Sequence, residues 1–246
     1  MIINDMTKIS ECIEDYQKLN LIFGNVLDAP SRGGNISVKN GEYLIIKSSG
    51  EDLKEKHKIS ILKNNVNSFS YYDGVFSTDT IKPSMEVKMH MVFKNKFVAH
   101  YHPVYILPYL CANDYIFGNY EVVEFVLPGD KLCSALCRNY TYKEKGVVML
   151  RNHGVVIYAE DIQDVCMLYD ELKNEFFEKN DFVYTPDDAV DAENSELWLF
   201  RNAIENIARN KKLNLASLKQ NEISELLNLA DEKYRKKIMM KGENKK

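Results

Sequence analysis

The chain has 246 residues, 45% hydrophobic and 28% charged, with a formal net charge of −4. That length serves one large domain or two small ones, and the composition is that of a soluble globular protein. The acidic balance offers no global field for nucleic acid, no apolar run nears the roughly 20 residues that span a bilayer, and the first six residues lack the basic and apolar regions of a signal peptide.

The first predicted element is a helix, on which Met6, Ile9, Ile13, Tyr16, Leu19 and Phe23 recur at helical spacing until Gly24 closes the run. A loop from Asn25 to Gly34 leads into two β-rich runs, and the Asn40-Gly41 pair between them signals a two-residue hairpin. Short strands are expected near Lys58–Leu62 and Ser68–Tyr72, with Asp73-Gly74 as a turn. Pro83-Ser84 then opens a helix with Met85, Met89, Val92 and Phe93 on its apolar face and Ser84 as N-cap. A buried strand over Lys96–Tyr101, a short helix over Tyr105–Ala112 and a strand over Glu121–Leu127 follow. Pro128-Gly129-Asp130 starts a helix to about Asn139, on which Cys133 and Cys137 share a face and read as small apolar groups. Two further strands, Gly146–Leu150 and Val155–Ala159, flank the turn Arg151-Asn152-His153. Asp161 caps the strongest amphipathic helix, with its stripe Ile162, Val165, Leu168, Leu172 and Phe176. Beyond Pro186 come two helices, with stripes Leu197, Phe200, Ile204, Ile207 and Leu218, Leu226, Leu229. The basic stretch from Lys233 to Lys246 reads as a solvated helix end. The five cysteines, Cys12, Cys111, Cys133, Cys137 and Cys166, have no repeated spacing, which predicts free thiols in a reducing cytoplasm.

Three of the five histidines carry the chemical signal. In an extended strand residues i and i+2 point to one face, so His100 and His102 aim at a common point. His153, in a turn beside another buried strand, can complete a facial three-histidine site. Three imidazoles leave one position of a tetrahedral zinc ion open, as catalytic rather than structural zinc requires. Glu86 and His90, four residues apart, share a helix face, with His90 as a supporting hydrogen-bond partner. The small polar segments Gly34-Asn35-Ile36-Ser37 and Ser48-Ser49-Gly50 can present donors to an anion, with Lys47 a further candidate.

The order and spacing of Gly34–Ser37, Lys47–Gly50, Pro83–Glu86, Ala99–Pro103, Pro128-Gly129 and Arg151–Gly154 resemble those of the class II aldolase/adducin family of zinc-dependent sugar-phosphate aldolases and epimerases. The resemblance runs from about Met6 to about Lys179, and the rhamnulose-phosphate-aldolase-like members share its Lys-x-Ser-Gly and Pro-Gly turns. Carried over position by position, it implies His100, His102 and His153 as zinc ligands and Glu86 as the catalytic acid/base. It implies Asn35, Ser49, Gly50 and Ser84 as the phosphate pocket. One departure stands out: many members have two serines before the glutamate, where this chain has Ser84-Met85. The spacer between Glu86 and His100 is also shorter than in the fuculose-phosphate aldolases.

The resemblance implies a three-layer α/β fold with a central, mostly antiparallel sheet flanked by helices, at residues 1–185, and a C-terminal helical extension at 186–246. It implies retro-aldol cleavage of a phosphorylated ketose into dihydroxyacetone phosphate and an aldehyde, through a zinc-stabilised enediolate, in a cytoplasmic homotetramer. A 4-epimerase, a dehydratase or a 3-oxo sugar-acid phosphate decarboxylase would use the same residues. A non-catalytic module like the adducin head is the reading of a different class, and it would be expected to lack the histidines and the acid. A tyrosine from the C-terminal region, Tyr184 or Tyr234, is conceivable as proton donor to the leaving group, with no motif fixing either.

Overall fold

The computed structural model describes residues 2–179, 192–230 and 232–234. Tyr184, the boundary drawn at 185/186 and the basic stretch beyond 234 fall outside them. Among the described residues nine strands form one sheet: β1 (Asn35–Asn40), β2 (Tyr43–Lys47), β3 (Ile59–Lys63), β4 (Val66–Tyr72), β5 (Val75–Ser77), β6 (Phe97–Tyr101), β7 (Glu121–Val123), β8 (Lys145–Leu150) and β9 (Gly154–Ala159). Their spatial order is β5-β4-β3-β2-β1-β6-β9-β8-β7. Every pairing is antiparallel except β7 with β8.

The strands read as continuous apolar runs because both faces of the sheet are covered. Ile36, Val38, Ala99, Tyr101 and Ile157 point to a core shared with Ile13, Leu19 and Phe23 of α1 (Ile2–Phe23) and with Val165, Leu172 and Phe176 of α5 (Ile162–Phe176). Ile207 of α6 (Ala192–Asn210) closes the same core. On the other face Val98, Val148, Val156 and Tyr158 meet Met89 of α2 (Val87–Val92) and Leu132 and Leu136 of α4 (Asp130–Asn139). Each fully buried side chain of this kind contributes about 1.5–3 kcal/mol. The result is the expected three-layer α/β architecture with a mostly antiparallel centre.

Local chemistry sets the turns. Asn40 pairs with Tyr43, so the loop residues are Gly41 and Glu42, one position later than the Asn40-Gly41 signal suggests. Gly41, at φ 61°, takes the left-handed first position, as a type II′ turn requires. Asn64-Asn65 and Asp73-Gly74, all at positive φ, close the next two hairpins. The second of these adds β5 at Val75–Ser77, a strand that the sequence reading does not include. Asp161 caps α5 as predicted, its side chain accepting from the Gln163 N–H at 2.9 Å.

Several expectations are corrected. Ser84 is not the N-cap of α2: the helix begins at Val87 with Glu86 at the cap. Pro83 bridges to Ser48 and the Ser84 N–H donates to Lys47 O at 3.0 Å, so this segment is laid along the end of β2 before the helix starts. The strand predicted to reach Leu127 stops at Val123, where its partner β8 ends and the chain turns away. The short helix α3 covers only Leu107–Leu110. Cys137 is exposed rather than packed.

One buried carboxylate, invisible to pattern reading, ties the layers together. Asp28 is fully buried and accepts from the Tyr105 hydroxyl at 2.8 Å, the Tyr169 hydroxyl at 2.7 Å and the Asn25 amide at 2.6 Å. Its backbone carbonyl accepts from the His102 N–H at 2.9 Å, so the same residue holds the strand end that carries a candidate ligand. Replacing it leaves several buried donors unpaired. Asp28→Ala is expected to lower stability by about 3 kcal/mol in chemical denaturation. A loss under about 1 kcal/mol would show that the network does not anchor the fold.

Candidate metal centre and active site

The site begins with strand register. Asn35 is directly opposite His100 in the β1–β6 ladder, and both project to the face covered by α2. Ser37, two residues along the same face, reaches His90 of α2: its hydroxyl lies 2.7 Å from His90 Nδ1. His90 Nε2 meets Asn35 Oδ1, and Asn35 Nδ2 donates to Glu86 Oε2 at 2.8 Å. An amide oxygen only accepts, so His90 carries its proton on Nε2 and Nδ1 accepts from Ser37. The four side chains form one directed chain, Ser37 to His90 to Asn35 to Glu86, and all four are buried.

At its end Glu86 faces the three histidines. Glu86 Oε2 is 3.3 Å from His100 Nε2, and Glu86 Oε1 is 3.1 Å from His153 Nε2 without hydrogen-bond geometry. His102 Nε2 lies 3.0 Å from His100 Nε2. The ligand atoms of His100, His102 and His153 all fall within 4.8 Å of one another. Tetrahedral zinc with Zn–N bonds of 2.0–2.1 Å sets its nitrogens about 3.3 Å apart, so the spacing suits one ion. The tautomer of His100 suits it too: Nδ1 is 3.1 Å from the Val155 carbonyl, must donate to it, and leaves Nε2 as a lone pair.

Packing and electrostatics point the same way. A Cβ on Gly154 would stand 2.5 Å from Tyr101 O and 2.7 Å from His102 Cδ2, and one on Gly33 would stand 2.6 Å from His102 Nδ1. These glycines let the backbone close around the imidazoles. Asn152, at φ 53°, makes the turn that presents His153, and its amide donates to Ala216 O at 3.1 Å. Burial pushes His100 down to about 4 and His102 well below the usual imidazole range, which favours the neutral imidazole, the form able to ligate a metal. Burial opposes ionisation of Glu86, but the electrostatic pull of the facing imidazoles, His100 first and then His153 and His102, outweighs it and lowers the carboxyl well below its ordinary range. A divalent cation among the same nitrogens would exert the same pull. His153 Nδ1 and Glu86 Oε1, both buried without a hydrogen-bond partner, belong to this cluster. The donor set therefore fits a metal ion.

Beside the cluster lies a pocket of about 90 Å³. Asn35, Ser49, Gly50 and Ser84 all line it, together with Glu86, His102 and His153, so the structure gathers the residues that the sequence singled out. Lys47 lines it too, buried, with its ammonium donating to Arg32 O at 2.9 Å. Sequence reasoning missed Arg32 and Glu232, and it offered Ser37 as an anion donor where the structure sets it against His90. The place of Ser37 two along from Asn35 on one strand face was readable; Arg32 and Glu232 carried no signal. Tyr234 is exposed, with the Lys82 ammonium 5.3 Å from its ring centroid, and does not line the pocket.

The family model described as Class II Aldolase and Adducin N-terminal domain matches residues 29–176, more than half of the chain. Among solved structures, an L-fuculose 1-phosphate aldolase is 16% identical, with 93% of this chain and 96% of that one covered at a TM-score of 0.47. A sugar-phosphate aldolase from Thermotoga maritima is 17% identical, with 85% and 98% covered and a TM-score of 0.47. The N-terminal class II aldolase domain of a Thermoplasma acidophilum protein is 16% identical, with 80% and 91% covered and a TM-score of 0.45. No curated protein sequence matches the chain.

Metal content tests the geometry directly. His100→Ala, His102→Ala and His153→Ala are each expected to abolish stoichiometric metal uptake, read by elemental analysis after loading and desalting. Gly154→Ala should weaken metal affinity by at least roughly tenfold, the scale of disturbing the shell around a ligand. Full retention of metal in all three histidine variants would refute the site.

Proposed function

The chain belongs to the class II aldolase and adducin family, and we propose that it is a zinc-dependent lyase that cleaves a phosphorylated ketose into dihydroxyacetone phosphate and an aldehyde. The observation that carries this reading is the convergence of three imidazole nitrogens and one oriented carboxylate at the mouth of a pocket with a basic end. A zinc ion held by His100, His102 and His153 would supply a Lewis acid for the ketose carbonyl and its neighbouring hydroxyl.

The protein groups do the rest. In this reading Glu86 moves a proton at the carbon that loses its bond to the aldehyde, in the cleavage direction and in reverse. Asn35 fixes the carboxylate by donating to Oε2, and His90 and Ser37 fix Asn35, so the proton-transfer group enters the reaction already oriented. The distal end of the substrate belongs with Ser49, Gly50 and Ser84, where the two serine hydroxyls adjoin the cations Arg32 and Lys47. Retention of the metal-ligand set and the acid argues against a non-catalytic, adducin-head-like role. The same reading makes the protein a cytoplasmic homotetramer with a catalytic unit at 1–185 and a helical extension after it; among the described residues no helix is long and apolar enough to cross a membrane.

Glu86→Gln is expected to keep the metal while lowering kcat by roughly 10²–10⁴-fold, measured on phosphorylated ketoses with aldehyde trapping. Wild-type turnover in that variant would move proton transfer to another group. Product analysis in the same assay separates cleavage from 4-epimerisation, dehydration and decarboxylation of a sugar-acid phosphate.

Ser84→Ala should raise KM by the equivalent of about 1–2 kcal/mol with kcat little changed, because a phosphate grip acts equally in ground and transition states. Equal use of a sugar with and without its phosphate by the wild type would refute the phosphate pocket and leave the metal chemistry standing.

A further inference from the structure

On β1, Asn35, Ser37 and Lys39 alternate with the core residues Ile36 and Val38, so all three face α2. Asn35 meets Glu86 and His90 there, and Ser37 meets His90. Lys39 reaches the other end of the same helix. Its Nζ donates to Phe93 O at 2.5 Å and to Asn95 O at 3.2 Å. Phe93 is the C-cap of α2, so its carbonyl is one that the helix itself leaves without a partner. Asn95 is fully buried and tied in turn by its amide to Lys143 O at 2.9 Å and Glu144 O at 3.0 Å. The backbone N–H of Lys39 donates to Lys96 O at 2.8 Å, joining strand and loop at the same place.

The two polar contacts bracket the helix. Strand rise carries Asn35 to Lys39 over roughly 13 Å, and helix rise carries Glu86 to Phe93 over roughly 10 Å. Apolar packing does different work. Val87 and Met91 rest on Leu44, Ile46 and Leu62, while Met89 and Phe93 rest on Val98 and Tyr158. These contacts press α2 onto the sheet, but the hydrophobic effect is non-directional and sets the position along the helix axis less sharply than directed bonds do. Burial pushes the Lys39 amine down to about 7, and both its charged and its neutral form carry the two N–H groups that the two carbonyls accept. The hold on the helix end therefore persists in either state. Because Glu86 caps the opposite end of α2, any slide of the helix along β1 moves the carboxylate relative to His100 and His153.

We propose that Lys39 is a positioning residue for proton transfer: by holding the C-terminal end of α2 to β1, it sets the reach of the Glu86 carboxylate toward the three histidines. This rests on the reading of Glu86 as the proton-transfer group, and it adds the residue that fixes where that group stands.

The test is a double-mutant cycle on metal-loaded, full-length protein. Lys39→Met keeps an unbranched stem and removes the donors. It is expected to retain stoichiometric metal and to lower kcat roughly tenfold with KM changed by less than about twofold, the mark of a misplaced proton-transfer group rather than of lost binding. Lys39→Arg, which keeps N–H donors, should recover most of that loss. In a Glu86→Gln background the Lys39→Met change should cost less than about twofold, because a residue that acts through Glu86 then has nothing left to position. Equal losses in both backgrounds would overturn the role and make Lys39 a general support of the fold; an unchanged kcat would overturn it too. A second measurement needs no substrate. Exchange of the backbone amides of residues 87–93, followed by mass spectrometry, should quicken at least roughly tenfold in Lys39→Met, and unchanged exchange would refute the hold on the helix. Wild-type turnover in Glu86→Gln alone would instead sink the assignment of Glu86, with the exchange data still deciding whether Lys39 fixes α2.

Discussion

The constraint on which this site depends is the buried polar chain from Ser37 through His90 and Asn35 to Glu86. Each member is nearly or fully removed from water, and an unpaired buried polar group costs about 1–3 kcal/mol. The donor and acceptor order is therefore fixed. The carbonyl-type oxygen of Asn35 demands the proton of His90 Nε2, which turns Nδ1 toward Ser37 and leaves the Asn35 amide for Glu86. The carboxylate at the end has a single supported orientation, toward the imidazoles of His100 and His153. A half-satisfied network would be worse than an apolar one, so the chain favours one arrangement of β1 against α2.

The sheet makes that arrangement possible. Both faces of β1, β6 and β9 are covered, so a one-residue slip would drive Ile36 and Val38 out of the α1 core and Asn35 and Ser37 into it. The apolar alternation thus fixes the polar site on the opposite face. The histidines gather where β6 ends and the β8–β9 turn crosses it, and Gly33 and Gly154 allow the backbones to approach there without a Cβ in the way. Asp28 holds the neighbouring loop against α5 and the Tyr105 segment, linking the position of His102 to the helices on the far face.

Much of this was legible beforehand. The helices α1 and α5, the buried strands and the two histidine segments each rest on a local rule of periodicity or turn chemistry, and those elements formed as read. Expectations failed where a distant partner decides. Ser84 lost its capping role because Pro83 and Ser84 are drawn onto the end of β2, and the strand after Glu121 ended with its neighbour β8 rather than with its own apolar run. The extra strand β5 exists because β4 offers it an edge, which Val75–Ser77 alone do not announce.

The sequence by itself determined which residues could hold a metal ion, because i and i+2 in an extended strand must share a face and His100 and His102 were so placed. It also set a glutamate four residues before a histidine at the start of the preceding helix, α2, where the structure makes Glu86 the cap rather than a helical residue. Only the tertiary structure decided that His153 meets them, that Asn35 links His90 to Glu86, and that Arg32 and Glu232 enter the same pocket. Those juxtapositions join segments far apart in the chain, and they follow from strand register and helix packing, which are set by the whole core rather than by any local pattern of residues.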